Sequence, residues 1–194
     1  TTLDEWDAIA FHLPYAFHGR RIFTSLYISN QIKNETIESL EEETGLIRDD
    51  PDFERATSKS SSYKAFAASY IAPGDTFSSQ IGNLYTGSIF MSLISHLVNA
   101  TNSLANKRIG FVAYGSGSKS KVFSAQIQEG YEQKVNSWHI KEELDMREPI
   151  SFNEYENLHK MQLNTLLRNT KSKFIIDSAN KENALIGQRF YKAN

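Results

Sequence analysis

Residues 80–117 constrain the fold more than any other stretch, because they hold two buried-looking elements between glycine corners. They read QIGNLYTGSIF, then MSLISHLVNATNSLAN, then KRIGFVAYGSG. After the small residues Gly82, Gly87 and Ser88, the pairs Ile89/Phe90, Leu93/Ile94 and Leu97/Val98 recur every four positions. That spacing predicts a helix with one buried apolar face. Residues 109–114 are a near-continuous apolar run between Arg108 and Gly115, the pattern of a strand covered on both faces. A turn at residues 115–118 (GSGS) closes it. Glycine corners let backbone N–H groups approach a ligand with no Cβ in the way, so both corners are candidate binding positions.

A second buried strand is predicted at the beginning of the chain. Residues 8–11 (AIAF) are apolar, and His12-Leu13-Pro14 ends the run, since a residue before proline is pushed towards extended geometry. Pro14 suits the first turn of a helix carrying Phe17, Ile22, Phe23, Leu26 and Tyr27 on its apolar face. His12 then sits at a strand's carboxyl end beside a helix start, where open α/β sheets place ligand crevices. The alternative is a core histidine satisfied by a backbone carbonyl, which spacing alone favours.

Composition enters as a set of exclusions. A chain of 194 residues with 40 % apolar content can bury an ordinary core, as one domain or one half of a larger one. A net charge of −2 with scattered basic residues gives no field for nucleic acid. No apolar run approaches the roughly 18 residues of a membrane span, and the acidic start TTLDEWD is unlike a signal peptide, so a cytoplasmic location is expected. With no cysteine, these residues supply neither a disulfide nor a thiolate nucleophile. His18, His96, His139 and His159 lack metal-ligand spacing with acidic neighbours, and no metal is assigned.

The remaining elements follow from local patterns. Residues 34–44 read as an acidic surface helix stopped by Gly45, and residues 53–71 as one helix with a polar stretch at 58–62. Pro73-Gly74-Asp75 is expected to end that helix. Phe123, Ala125 and Ile127 alternate with polar residues, predicting a half-buried strand in a hairpin with residues 109–114. Residues 129–149 are charged and turn-rich, a surface excursion. Ser151 and Glu154 form a capping box opening a helix to about residue 169, before two short strands at 174–176 and 186–191.

The segments AFHLPYAFHGRR, SSQIGNLYTGSIFMSLISHL and KRIGFVAYGSGSKSKVFS, in this order, closely resemble the second half of 3-hydroxy-3-methylglutaryl-CoA synthases. The resemblance implies a thiolase-like layered α/β fold, its C-terminal half, with a core over residues 1–128 and the excursion, helix and closing strands over 129–194. It implies an acyltransferase that condenses acetyl-CoA with acetoacetyl-CoA. The acylated cysteine and the acid/base glutamate would lie in a missing N-terminal half, so the chain alone would be inactive. Carried over by motif, His12 matches the histidine of FH-x-P-[YF] that contacts the acetoacetyl group, Asn83 and Tyr85 belong to GN-x-YT, and Gly115 and Ser116 belong to YGSG at the thioester oxyanion. Asn83 also fits a helix N-cap, and Gly115 a hairpin turn. The family's lysine five residues after the histidine is Phe17 here, leaving Arg20 and Arg21 as the candidate coenzyme A phosphate contacts. The resemblance further implies a homodimer, coenzyme A thioesters as substrates and no cofactor. Two other readings stay open: a polyketide β-branching synthase that takes acyl groups from carrier proteins, and a thiolase-fold subunit that binds without catalysing.

Overall fold

Ala8-Ile9-Ala10-Phe11 forms strand β1 (Ala8–Phe11), and all four residues are buried because the two faces of the strand meet two different cores. Ile9 and Phe11 point into a cluster with Leu13, Phe23, Tyr27, Tyr63 and Ile71. Ala8 and Ala10 face Ile89, Leu104, Ile109 and Phe111. β1 pairs in parallel with β2 (Arg108–Gly115), Ile9 opposite Gly110 and Phe11 opposite Val112. β2 pairs antiparallel with β3 (Lys119–Gln126), giving a three-stranded sheet in the order β1-β2-β3.

The computed structural model describes residues 3–115, 117–162, 174–179 and 188–193. They divide into two compact units, Thr1–Met146 and Arg147–Asn194. In the second, the predicted capping box is present: Ser151 Oγ accepts from Glu154 N while the Glu154 carboxylate accepts from Ser151 N, opening α9 (Phe152–His159). The expected continuation of that helix beyond residue 162 lies outside the described residues. The closing strands are β4 (Phe174–Ala179) and β5 (Arg189–Ala193), an antiparallel pair.

Eight α-helices belong to the first unit among the described residues: α1 (His18–Lys33), α2 (Ile37–Thr44), α3 (Phe53–Thr57), α4 (Ser61–Tyr70), α5 (Ala72–Ile81), α6 (Ser88–Asn99), α7 (Tyr131–Asn136) and the short α8 (Ile140–Asp145). Gly45 ends α2 in the left-handed conformation, as expected. Several expectations are corrected. The helix predicted from Pro14 begins at His18, because Leu13 is fully buried and its N–H is held by Ser88 Oγ, fixing the chain before it can coil. Residues 53–71 form two helices, broken where Ser60 accepts from Tyr63 N and caps the second. Pro73, Gly74 and Asp75 form the first turn of α5, where the missing proline N–H costs nothing. The excursion after residue 128 contains α7 and α8, and α7 packs on α6 with Val135 buried. β3 is solvent-exposed along nearly its whole length, with Phe123 stacked on Phe111 at 4.7 Å, so the alternation there marks an edge strand.

The largest correction concerns α6. Its buried face is Ser88, Ile89, Ser92, Ser95 and His96, while Phe90 is exposed and Leu93, Ile94, Leu97 and Val98 are half-buried. Periodicity located the helix but not this face, since small polar residues are buried where helices approach closely. A Cβ at Gly74 of α5 would stand 2.4 Å from His96 Nε2 and 2.8 Å from Ser92 Oγ. Buried polar atoms at this contact find partners: Ser95 Oγ donates to Pro73 O and accepts from Phe77 N, and His96 Nε2 donates to Ile9 O at 2.9 Å, while the buried Ser78 Oγ of α5 has none.

Gly110, in the middle of β2, is equally constrained. A Cβ there would lie 2.3 Å from the ring of the buried Trp6. Gly110→Ala is expected to destabilise the chain by about 1–3 kcal/mol, the cost of overpacking a rigid aromatic against backbone. Chemical denaturation of the two chains measures it, and equal midpoints would contradict the packing described.

Candidate functional site

Three sequence motifs converge at the carboxyl ends of β1 and β2. His12 follows β1 directly, and its N–H donates to Val112 O at 3.0 Å, extending the parallel ladder by one bond. Its imidazole is half-buried and lies 6.3 Å, centroid to centroid, from the ring of Tyr114 near the end of β2. Ser88, the first residue of α6, reaches across from the second motif: its Oγ accepts from Leu13 N at 2.9 Å and lies 3.2 Å from His12 Nδ1. The hydroxyl proton finds its acceptor if Nδ1 is unprotonated, which leaves Nε2 as the N–H edge of the ring. Burial, and secondarily the nearby His18, hold the His12 pKa below its ordinary value. In that tautomer the neutral ring offers Nε2–H as its donor, and the lowered pKa favours the neutral form.

The loop before α6 is tightly shaped. Gly82 has φ +89, a conformation that side chains rarely adopt. Asn83 Oδ1 accepts from Tyr85 N at 2.7 Å, an Asx turn that leaves the Asn83 amide as donor. Tyr85 is held at φ 50 and is strongly exposed, so backbone strain and an uncovered aromatic coincide beside the motif. Asn83 does not cap α6, whose first turn has no side-chain cap. Gly115 ends β2 opposite Lys119 and has room for a Cβ, the nearest atom being Lys119 O at 3.5 Å, so its place in the motif is not forced by packing. Ser116 lies outside the described residues.

The two arginines stand apart from this cluster, on the first turns of α1. Arg20 Nε donates to Asp75 Oδ2 at 2.7 Å, and its guanidinium lies 5.0 Å from the Phe17 ring centroid. Asp75 is buried, and burial raises its carboxyl pKa to about 6 although Arg20 pulls the other way. Arg21 is exposed and reaches the Tyr15 hydroxyl at 3.4 Å. Sequence reasoning missed Ser88 and Asp75. A serine at a helix start pointed to Ser88, but nothing local pairs Asp75 with a residue 55 positions away.

The family model for the C-terminal part of hydroxymethylglutaryl-coenzyme A synthase matches residues 1–191. The chain belongs to this family. A hydroxymethylglutaryl-CoA synthase of Enterococcus faecalis is 32 % identical over 161 residues, covering 83 % of this chain and 34 % of that protein. The chain thus spans about a third of the length of the curated relatives it matches. Among solved structures, MvaS in complex with 3-hydroxy-3-methylglutaryl coenzyme A superposes with a TM-score of 0.70 at 24 % identity, over 98 % of this chain and 42 % of that one. The hydroxymethylglutaryl synthase of the curacin biosynthetic pathway, solved with its apo donor acyl carrier protein, gives 0.57 at 21 % identity, over 92 % and 37 %. These likenesses place the chain in the thiolase-type fold that its motifs implied. Among the described residues, no helix is long and apolar enough to cross a membrane.

Proposed function

We propose that the chain is the acetoacetyl-binding C-terminal part of an acyltransferase that condenses acetyl-CoA with acetoacetyl-CoA to 3-hydroxy-3-methylglutaryl-CoA. The observation that carries this reading is the His12–Ser88 pair at the convergence of the FHLPY, GNLYT and YGSG segments. A neutral imidazole with Nδ1 engaged presents Nε2–H to a ketone oxygen, and that donor stabilises the alkoxide formed when a carbanion attacks the ketone. The Asn83 amide supplies a second donor beside it, Tyr85 covers the substrate, and Gly115 and Ser116 of the YGSG motif serve the thioester oxygen. Arg20 and Arg21 take the coenzyme A phosphates in place of the lysine that Phe17 replaces. The reaction needs no cofactor from these residues. The nucleophilic cysteine and its acid/base partner come from the remainder of the synthase, which works in the cytoplasm as a homodimer.

A carrier-protein substrate is the second reading. It is favoured by Phe17, whose ring lies beneath the Arg20 guanidinium at a position where the family's lysine would meet coenzyme A phosphates, and the curacin-pathway relative was solved with a carrier protein. Comparing acetoacetyl-CoA with an acetoacetyl carrier protein as second substrate of the complete synthase separates the two.

The 194-residue chain incubated with acetyl-CoA is expected to gain no stable acetyl group, because it contains no cysteine. Intact-mass spectrometry reads this directly. A stoichiometric acetyl adduct on a serine or histidine would remove the proposal that the nucleophile lies elsewhere.

A further inference from the structure

The amino ends of β1 and β2, the end of the sheet opposite His12, border a cavity of about 430 Å³, a volume typical of small-molecule sites. Its floor is buried, formed by Ala8, His96 and Leu104, and its rim is exposed, with Thr101, Asn102 and Lys107 around it. His96 sets the chemistry of the floor. Its Nε2 donates to Ile9 O, so Nε2 carries the proton of the neutral imidazole and Nδ1 is an acceptor. Burial pushes the pKa of this ring down to about 4, which keeps it neutral near pH 7. The Nε2–Cδ2 edge is turned to α5, since these are the atoms that a Cβ at Gly74 would meet at 2.4 and 2.6 Å. The opposite edge, with Nδ1, is the one left to the cavity that His96 lines.

Charge on the lining cancels. Among the described residues it holds one acid and one base, Asp7 and Lys107, which face each other at 3.1 Å, and the second Asp7 oxygen accepts from Arg108 N. A balanced pair whose members are already engaged favours neither an anion nor a cation, so the lining selects a neutral ligand. The acceptor on the floor asks for a hydroxyl or N–H donor, while the Asn102 amide and Thr101 hydroxyl on the rim take either role. Ala68, Pro73 and Ala100 give the cavity an apolar wall. A saturated ring bearing several hydroxyls presents both kinds of surface, and its hydroxyls replace the hydrogen bonds that water makes in a polar cavity of this size.

We propose that this cavity binds a neutral polyhydroxylated ring, a monosaccharide or a cyclitol, with one ligand hydroxyl donating to His96 Nδ1, Asn102 and Thr101 holding others, and the C–H face of the ring against Pro73 and Ala100. The site rests on no step of the acyl transfer described above.

The test is nitrogen-15 NMR of the histidine side chains of the 194-residue chain during titration with glucose, ribose and myo-inositol. The unprotonated Nδ1 of His96 should move upfield, saturably, as it gains a hydroxyl donor from at least one of the three. Tightest binding of myo-inositol assigns the site to a cyclitol, and tightest binding of glucose or ribose to a monosaccharide. Ala68→Leu, at an exposed position of α4, fills the cavity and should abolish the shift, and Asn102→Ala should weaken binding about threefold to tenfold. Circular dichroism confirms the fold of both variants, and the wild-type titration decides alone if either fails to fold. No saturable shift of Nδ1 with any of the three, binding unchanged in folded Ala68→Leu, or tighter binding of the cation glucosamine or the anion gluconate than of glucose overturns the proposal.

Discussion

Replacing His12 with alanine in the complete synthase is expected to slow condensation on the order of a hundredfold to a thousandfold, while acetylation of the enzyme proceeds at nearly its normal rate. The split follows from position. His12 projects from the end of β1 with Nδ1 beside Ser88 Oγ, and in the proposed reaction its free edge serves the ketone of the second substrate. Removing the donor leaves the alkoxide without its preorganised partner but touches nothing that the first substrate needs. Ser88→Ala should reduce the same step by less, since it frees the imidazole without deleting it. Rapid-quench measurement of the two half-reactions checks both variants. Equal losses in acetylation and condensation would make His12 a residue of the shared scaffold.

Acid should reveal two buried groups working in opposite directions. His96 is about 1 % exposed, and burial lowers its pKa to about 4, with the bond to Ile9 O only partly restoring it. Unfolded, it titrates near its ordinary value of 6.5. Between pH 6.5 and 4 the unfolded chain binds a proton that the folded chain refuses, so this contribution is present above pH 6.5 and lost as pH falls, about 3 kcal/mol in all. Asp75 has the reverse sign: its folded pKa of about 6 exceeds the ordinary 3.8, so its contribution is present below pH 3.8 and lost as pH rises through 6. In the wild type the two contributions oppose each other, and the lowered carboxyls of Glu43 and Asp4 add to the loss on acidification. Relative to the wild type, His96→Gln should lose less stability on acidification from pH 6.5 to 4, and Asp75→Asn should lose more. Urea unfolding as a function of pH reads both slopes, and parallel profiles for the two variants would contradict the assignment. His96→Gln also puts the Ile9 carbonyl bond at risk, so its stability at pH 8 should already be reduced.

The elements were legible where one physical signal dominates. β1 is an apolar run with both faces buried, whereas β2 is fully buried only over Ile109–Phe111, with Val112 and Ala113 partly covered and Tyr114 exposed. Gly45 and the Ser151–Glu154 box stop and start helices by local hydrogen bonding, which sequence records directly. The buried face of α6 was not legible, because its determinant is the closeness of α5 at Gly74, and closeness selects small polar residues that hydropathy counts as surface. Pro73 was misleading for a related reason: proline ends one helix or begins another, and the sequence does not say which side of it the chain continues on. Of the site, His12 was visible from its place before proline and from its motif. Its partner Ser88 lies 76 residues away, and the Arg20–Asp75 pair spans 55, distances over which only the folded chain makes a connection.

The central claim is that the neutral imidazole of His12, held by Ser88, meets the ketone of an acetoacetyl thioester. Nitrogen-15 NMR of the His12 ring during titration of the complete synthase with acetoacetyl-CoA tests it most directly. The spectrum should show an Nε2-protonated neutral ring before substrate, and a change centred on Nε2, with Nδ1 still hydrogen-bonded, once acetoacetyl-CoA is bound. A ring protonated on Nδ1, or one that stays unchanged while acetoacetyl-CoA saturates the protein, would contradict the account.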